Sequence, residues 1–154
     1  MKLTLAPITA TGDVDGLDRE ELSQSPFFSV VIQSMREHYR RVGWHAPWIG
    51  YLAVTEDAVP QGVGGFKSIP TDGRVEIAYA VDPEHEGRGV GTALAKSLVA
   101  LANSQAPEVL VFAQTLPEPN ASTTILTKVG FEKTRELHHL EDGLVWEWEL
   151  KGDC

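Results

Sequence analysis

The chain has 154 residues, 42% of them hydrophobic and 23% charged, with a formal net charge of −9. That length suits one domain rather than two, and no apolar run approaches the roughly 20 residues of a membrane span. The acidic balance disfavours nucleic acid backbone as a main partner and is compatible with a cationic or amine-bearing one.

The N-terminal stretch MKLTLAPITATGD carries one lysine and no long apolar region, so no secretory signal is expected and the chain is expected in the cytoplasm. In PFFSVVIQSMREHYRRV (26–42), Phe27, Val30, Val31, Ser34, Met35 and Tyr39 recur at three- and four-residue spacings, with proline at the start and Gly43 just beyond the end. This is a helix. GWHAPWIGY reads as a loop carrying large apolar surface, in which Trp48 is expected to be buried and Trp44 or His45 to stand nearer a pocket. YLAVTE and GVGGFKSI, split by DAVPQ, form an antiparallel hairpin.

RVEIAYAV (74–81) alternates as a strand: Val75, Ile77, Tyr79 and Val81 fall on one face, and Glu76, Ala78 and Ala80 on the other. Tyr79, on the bulky face, is expected in the core. After the turn DPEHEGRGVGT comes a helix, ALAKSLVALA, with Leu94, Leu98, Val99 and Leu101 as its packed face. EVLVFAQT is a buried strand, NASTTILTKVGF a short helix ending at Gly130, and two strands close the chain, near 131–138 and at LVWEWEL. The order is hairpin, strand, helix, strand, helix, hairpin. A helix joining strands 74–81 and 109–115 makes a βαβ unit, hence one parallel pair in a mostly antiparallel sheet. The fold class is therefore α/β with a mixed sheet flanked by helices, in a single domain spanning 1–154.

The three glycines Gly87, Gly89 and Gly91 stand where a helix must begin, although each costs roughly 1 kcal/mol against alanine in a helix. A strand-to-helix turn offers backbone N–H groups without internal partners at the positive end of the helix dipole, and glycines let that backbone approach a phosphate closely. The P-loop motif is absent because no lysine follows. The Rossmann pattern fails because its third glycine falls at Thr92. A turn shaped only by packing is the alternative.

VEIAYAVDPEHEGRGVGTALAKSLVALA followed by TLPEPNASTTILTKVGF resembles the GCN5-related N-acetyltransferase superfamily, in the branch similar to ribosomal-protein alanine acetyltransferases. The resemblance runs from about Val75 to Phe131 and adds little over the first 45 residues. It implies a GNAT-like fold whose parallel pair is splayed around acetyl-CoA. It also implies that the pyrophosphate is wrapped by Glu86, Gly87, Arg88, Gly89, Val90 and Gly91, with Thr92 next in the helix. Glu86 departs from the glutamine or arginine of the family's pattern, and its side chain is expected to face solvent. Backbone groups at Ala80 and Val81 would meet the pantetheine arm, and one N–H there would bind the carbonyl oxygen under attack. Asn120 would contact the cofactor or cap its helix, a role Ser122 could share.

Acetyl transfer to an amine needs the amine neutral, and an alkyl amine is largely protonated near pH 7. Glu76, the only acid within its strand, is the candidate base. An ion-paired or solvent-facing glutamate is the alternative from periodicity alone, and the resemblance favours the base. The helix tyrosine that serves many relatives as acid is missing, since Ile125, Leu126 and Thr127 fill those positions. The five histidines show no metal-ligand spacing, so no metal is expected.

The resemblance thus implies an acetyl-CoA-dependent N-acetyltransferase acting on an amine, either a small molecule or a protein N-terminus. A non-catalytic acetyl-CoA-binding module is the alternative, and a transferase using charged tRNA is disfavoured by the net charge. A homodimer is left open.

Overall fold

The computed structural model describes residues 2–151. Cys154 lies outside them. Strand β1 (Thr4–Pro7) is followed by two helices, α1 (Arg19–Ser23) and α2 (Pro26–Val42), and then by strands β2 (Gly50–Val54), β3 (Pro60–Phe66) and β4 (Arg74–Val81). Helix α3 (Val90–Gln105), β5 (Leu110–Thr115), α4 (Ala121–Val129), β6 (Phe131–His139) and β7 (Gly143–Leu150) complete the chain. One seven-stranded sheet runs in the order β1-β2-β3-β4-β5-β7-β6, and β4 with β5 is its parallel pair. The expected helices, hairpins and parallel pair are present.

Strand β1 and helix α1 have no clear counterpart in the sequence pattern. Four residues of strand carry too little periodicity to read, and α1 is a single turn or so begun by the Asp18 side chain, which accepts from the Glu20 N–H. Helix α2 starts as its sequence indicates, with Ser25 capping Phe28 N–H, Pro26 in the first turn and Gly43 at φ 84° just after the end. Its inward side is set by Phe28 and Tyr39. The Tyr39 hydroxyl donates to Ile8 O (2.9 Å) and accepts from Gly50 N (3.0 Å), tying the helix to the edge of the sheet.

The core lies on both faces of the central strands, with Leu52, Ile77, Leu98 and Leu126 among the fully buried side chains. Each contributes about 1.5–3 kcal/mol by leaving water. The packed side of α3 is Val90, Gly91, Leu94, Ala95, Leu98 and Ala102, whereas Val99 and Leu101 are only partly buried. Small residues on that side let the helix approach the sheet closely, and a pattern of large apolar residues does not reveal them. Trp48 is half-buried, edge-on to Phe66. Trp44 is 40% exposed and donates its indole N–H to Ile8 O (3.0 Å). Among the described residues, no helix is long and apolar enough to cross a membrane.

Candidate active site

The parallel pair is short. β4 and β5 are in register only at Arg74–Leu110, Val75–Val111 and Glu76–Phe112, after which the strands part while β4 continues to Val81. Lys67 N–H donates to Glu76 O and Asp82 N–H to Gln61 O, both at 3.0 Å, so even-numbered residues of this strand turn their backbone groups toward β3. By the alternation of an antiparallel ladder, Ala80 is engaged with Val63, and Tyr79 and Val81 direct N–H and C=O into the opening. Of the two backbone positions expected there, Val81 faces the opening and Ala80 does not. Register, invisible in a single strand's sequence, makes that distinction.

At the Val81 end, Asp82 caps a short 3-10 turn (Pro83–His85), and the chain passes through Gly87 (φ 76°) and Gly89 (φ 81°) into α3. Both glycines occupy the left-handed region, and a Cβ at either would meet nothing within 4 Å. The backbone conformation therefore requires glycine, and the space above it is open. Gly91 serves packing instead. A Cβ there would lie 2.5 Å from Ile125 Cδ1, so its missing side chain lets α3 and α4 meet. No protein acceptor is found among the described residues for the N–H groups of Gly87, Arg88, Gly89, Val90, Gly91 or Thr92; the first helix-type bond is from Ala93 to Gly89 O. Beside them is a groove of about 600 Å³ lined by Arg88, Lys96, Lys128 and Lys2 together with Thr92 and Ser97, and by no acid. On a chain of net charge −9, such a concentration of cations at a helix N-terminus fits a phosphorylated ligand. Glu86 is exposed and is not part of this lining.

At the start of α4, Asn120 Oδ1 accepts from Thr123 N–H (3.0 Å) while Thr123 Oγ1 accepts from Asn120 N–H (2.9 Å), a complete capping box. Thr123, not Ser122, shares the cap. Ser122 is partly buried and makes no side-chain hydrogen bond among the described residues.

Glu76 stands where the parallel register ends. Its carboxylate is 3.0 Å from Lys67 Nζ, so it is an ion-paired residue and not an isolated acid among small side chains. On the same side of the sheet, beneath α2, is a cavity of about 520 Å³. Its floor is Gly65, Ala78 and Ala80, and Val30, Val31, Met35, Val63 and Phe66 supply apolar wall. Val30, 66% exposed, stands at its rim. Lys67, His38 and Arg41 contribute at one end, and Glu141 and Asp142 of the β6–β7 turn also line it. Trp44 and His45 do not, contrary to expectation.

Two further features have no clear mark in the sequence. Glu147 is buried, 1% exposed, and its Oε2 receives hydrogen bonds from Arg74 (3.0 Å) and Arg135 (2.6 Å). Arg74 also reaches Glu149 Oε2 (3.0 Å), crossing above Phe112 with its guanidinium 4.2 Å from the ring centre. The cluster fastens β4 to β7 over the top of β5, beside the point where the parallel pair opens. Burial pushes the Glu147 carboxyl up, and the hydrogen bonds and charges of the two arginines outweigh this and hold it below the ordinary range. The alternation WEWEL is the one available signal. Tyr79 has a buried hydroxyl without a partner among the described residues, and burial raises it to about 12.

A family model described as an acetyltransferase (GNAT) domain matches residues 2–132. By sequence no curated protein matches the chain. Among solved structures, aminoglycoside acetyltransferase AAC(6')-Ib with ribostamycin and coenzyme A is similar at 20% identity and TM-score 0.71, over 97% of this chain and 93% of that one. A spermidine N-acetyltransferase chimera from Vibrio cholerae and hSSAT is similar at 15% identity and TM-score 0.68, over 97% and 95%. A ribosomal-protein alanine acetyltransferase from Vibrio fischeri follows at 15% identity and TM-score 0.59, over 79% and 68%. With a family model spanning most of its length and the same mixed sheet in these structures, the chain belongs to the GNAT acetyltransferases.

Proposed function

We propose that the chain is an N-acetyltransferase that moves an acetyl group from acetyl-CoA to an amine by direct attack, with both substrates bound together. The observation that carries this reading is the turn 87–92: six consecutive N–H groups without protein acceptors among the described residues, beside a groove of cations and at the mouth of the opening between β4 and β5. Phosphates fit the turn and groove, and an extended amide-bearing arm fits the unpaired edge of β4. Tyr79 and Val81 offer that edge backbone donors and acceptors. Acetyl-CoA has these parts in this order and supplies an activated acetyl thioester. Similar structures act on or bind amines, an aminoglycoside in one and spermidine by name in another, which supports an amine acceptor here.

In this reading Glu76 takes the proton from the acceptor amine, directly or through a water, from its position where the strands part. Lys67 orients its carboxylate. The N–H of Val81 or Tyr79 holds the carbonyl oxygen of the acetyl group as charge develops on it. Asn120 acts through its cap, fixing the start of α4 near the arm. Thr127 donates to Thr123 O (2.8 Å) and is thereby occupied, so no α4 side chain at the usual position serves as acid. A thiol has a pKa near ~8.5, so the thiolate leaves tolerably without one. The cytoplasm as site of action and a single domain over the whole chain belong to the same proposal.

The Lys67 ion pair and the missing tyrosine favour a second reading, a non-catalytic acetyl-CoA-binding module. Calorimetric titration with acetyl-CoA tests what both share. The wild type should bind saturably, and Gly89→Glu should bind at least about tenfold more weakly, because it puts an L-residue in the left-handed region and a carboxylate in the open space above the turn. A folded wild type that does not bind would refute both readings.

A further inference from the structure

The cavity under α2 is polarised along its length. His38 donates from Nε2 to Lys67 O (2.5 Å) and Lys67 N–H bonds Glu76 O, so His38, Arg41 and Lys67 stand at the Glu76 end of β4. β7 runs antiparallel to β5 with Trp146 opposite Thr115, so the β6–β7 turn lies at the other end, beyond Val81. Five residues of strand, about 16 Å, separate the two poles. Between them the walls are mostly apolar, with Ser34 the polar interruption on α2.

The charges at the poles are not equally spent. Lys67 is neutralised by Glu76. Arg41 has no carboxylate partner among the described residues; its guanidinium reaches only His38 Nδ1 (3.5 Å), whose other nitrogen is already engaged. A guanidinium at the rim of an apolar cavity, linked through His38 and Lys67 to the candidate base, suits a planar anion taken in bidentate fashion. It would repel an ammonium group at that pole. At the opposite pole the lining carries Glu141 and Asp142, the latter 3.4 Å from His139 Nδ1, so the unspent guanidinium and the carboxylates face each other along the cavity.

We infer that the acceptor is an amino carboxylate of amino-acid size: its carboxylate sits on Arg41, its amine faces Glu76, and its side chain runs along Met35, Val31 and Val63 toward the acidic turn. Arg41 is then the residue that sets specificity. The inference rests on the N-acetyltransferase reading above.

The test compares L-methionine and L-arginine with their carboxamides, and with spermidine, following acetyl-CoA-dependent release of free thiol by the wild type and by Arg41→Gln. The wild type should favour each free acid over its amide by about tenfold or more in kcat/KM. Arg41→Gln should bring that ratio close to one, chiefly by raising KM for the acid, with kcat little changed. Preference for the amides, which would point to a peptide N-terminus, or for spermidine would overturn the inference while leaving the acetyltransferase intact. An unchanged acid-to-amide ratio in Arg41→Gln would also overturn it, as would no turnover of any acceptor by protein that binds acetyl-CoA. A wild type that binds no acetyl-CoA removes the underlying reading instead, and the calorimetric titration separates that failure from the others.

Discussion

Replacing Glu147 by glutamine keeps the shape of a buried side chain and removes the one charge that two arginines share. Breaking a fully buried pair costs about 3–5 kcal/mol, because an uncompensated charge stays out of water. Here the survivors are partly hydrated, with side-chain exposures of 27% for Arg74 and 51% for Arg135, and Arg74 keeps Glu149. Solvent screening therefore reduces the expected loss to about 1–3 kcal/mol. For a chain of this length that lowers Tm by about 3–10 °C in a calorimetric melt at pH 7. The pH dependence follows from the lowered carboxyl: a folded value below the unfolded one contributes stability that is present above the unfolded value near ~4.3 and is lost as pH falls through the folded value. The gap between wild type and variant should thus be constant from about pH 6 to 8 and narrow below about pH 4. A Tm within about 1 °C of wild type at pH 7, or a gap that widens on acidification, would refute the reasoning. Loosening this fastening should also weaken acetyl-CoA binding, since it secures β4 beside the opening.

Glu76→Gln should lower kcat by about 10²–10⁴ with acetyl-CoA affinity little changed; equal turnover at saturating substrate would remove the base and favour the binding module. Tyr79→Phe removes a hydroxyl that is buried without a partner among the described residues, so Tm should stay within about 2 °C or rise, whereas a fall of several degrees would mean the hydroxyl makes a bond in solution.

Most elements are legible because their residues obey local rules. Helix α2 has its serine cap, its early proline and its terminal glycine, and β4 alternates strictly. Strand β1 is not legible, since four residues become a strand only when β2 supplies the ladder. Trp44, expected near a pocket, instead bonds Ile8 O, a partner 36 residues earlier in the chain.

The sequence by itself determined the order of elements from α2 onward, the parallel pair and the glycine turn, and the resemblance carried by that turn indicated the family. Gly87 and Gly89 show why: a left-handed backbone at a helix start admits little else, so function is written there in residue type. Tertiary structure alone decided that Val81 and not Ala80 faces the opening, that Lys67 meets Glu76, and that Arg74 and Arg135 converge on Glu147. Those facts depend on register and on residues up to 73 positions apart, and the distance between such side chains is a property of the folded sheet.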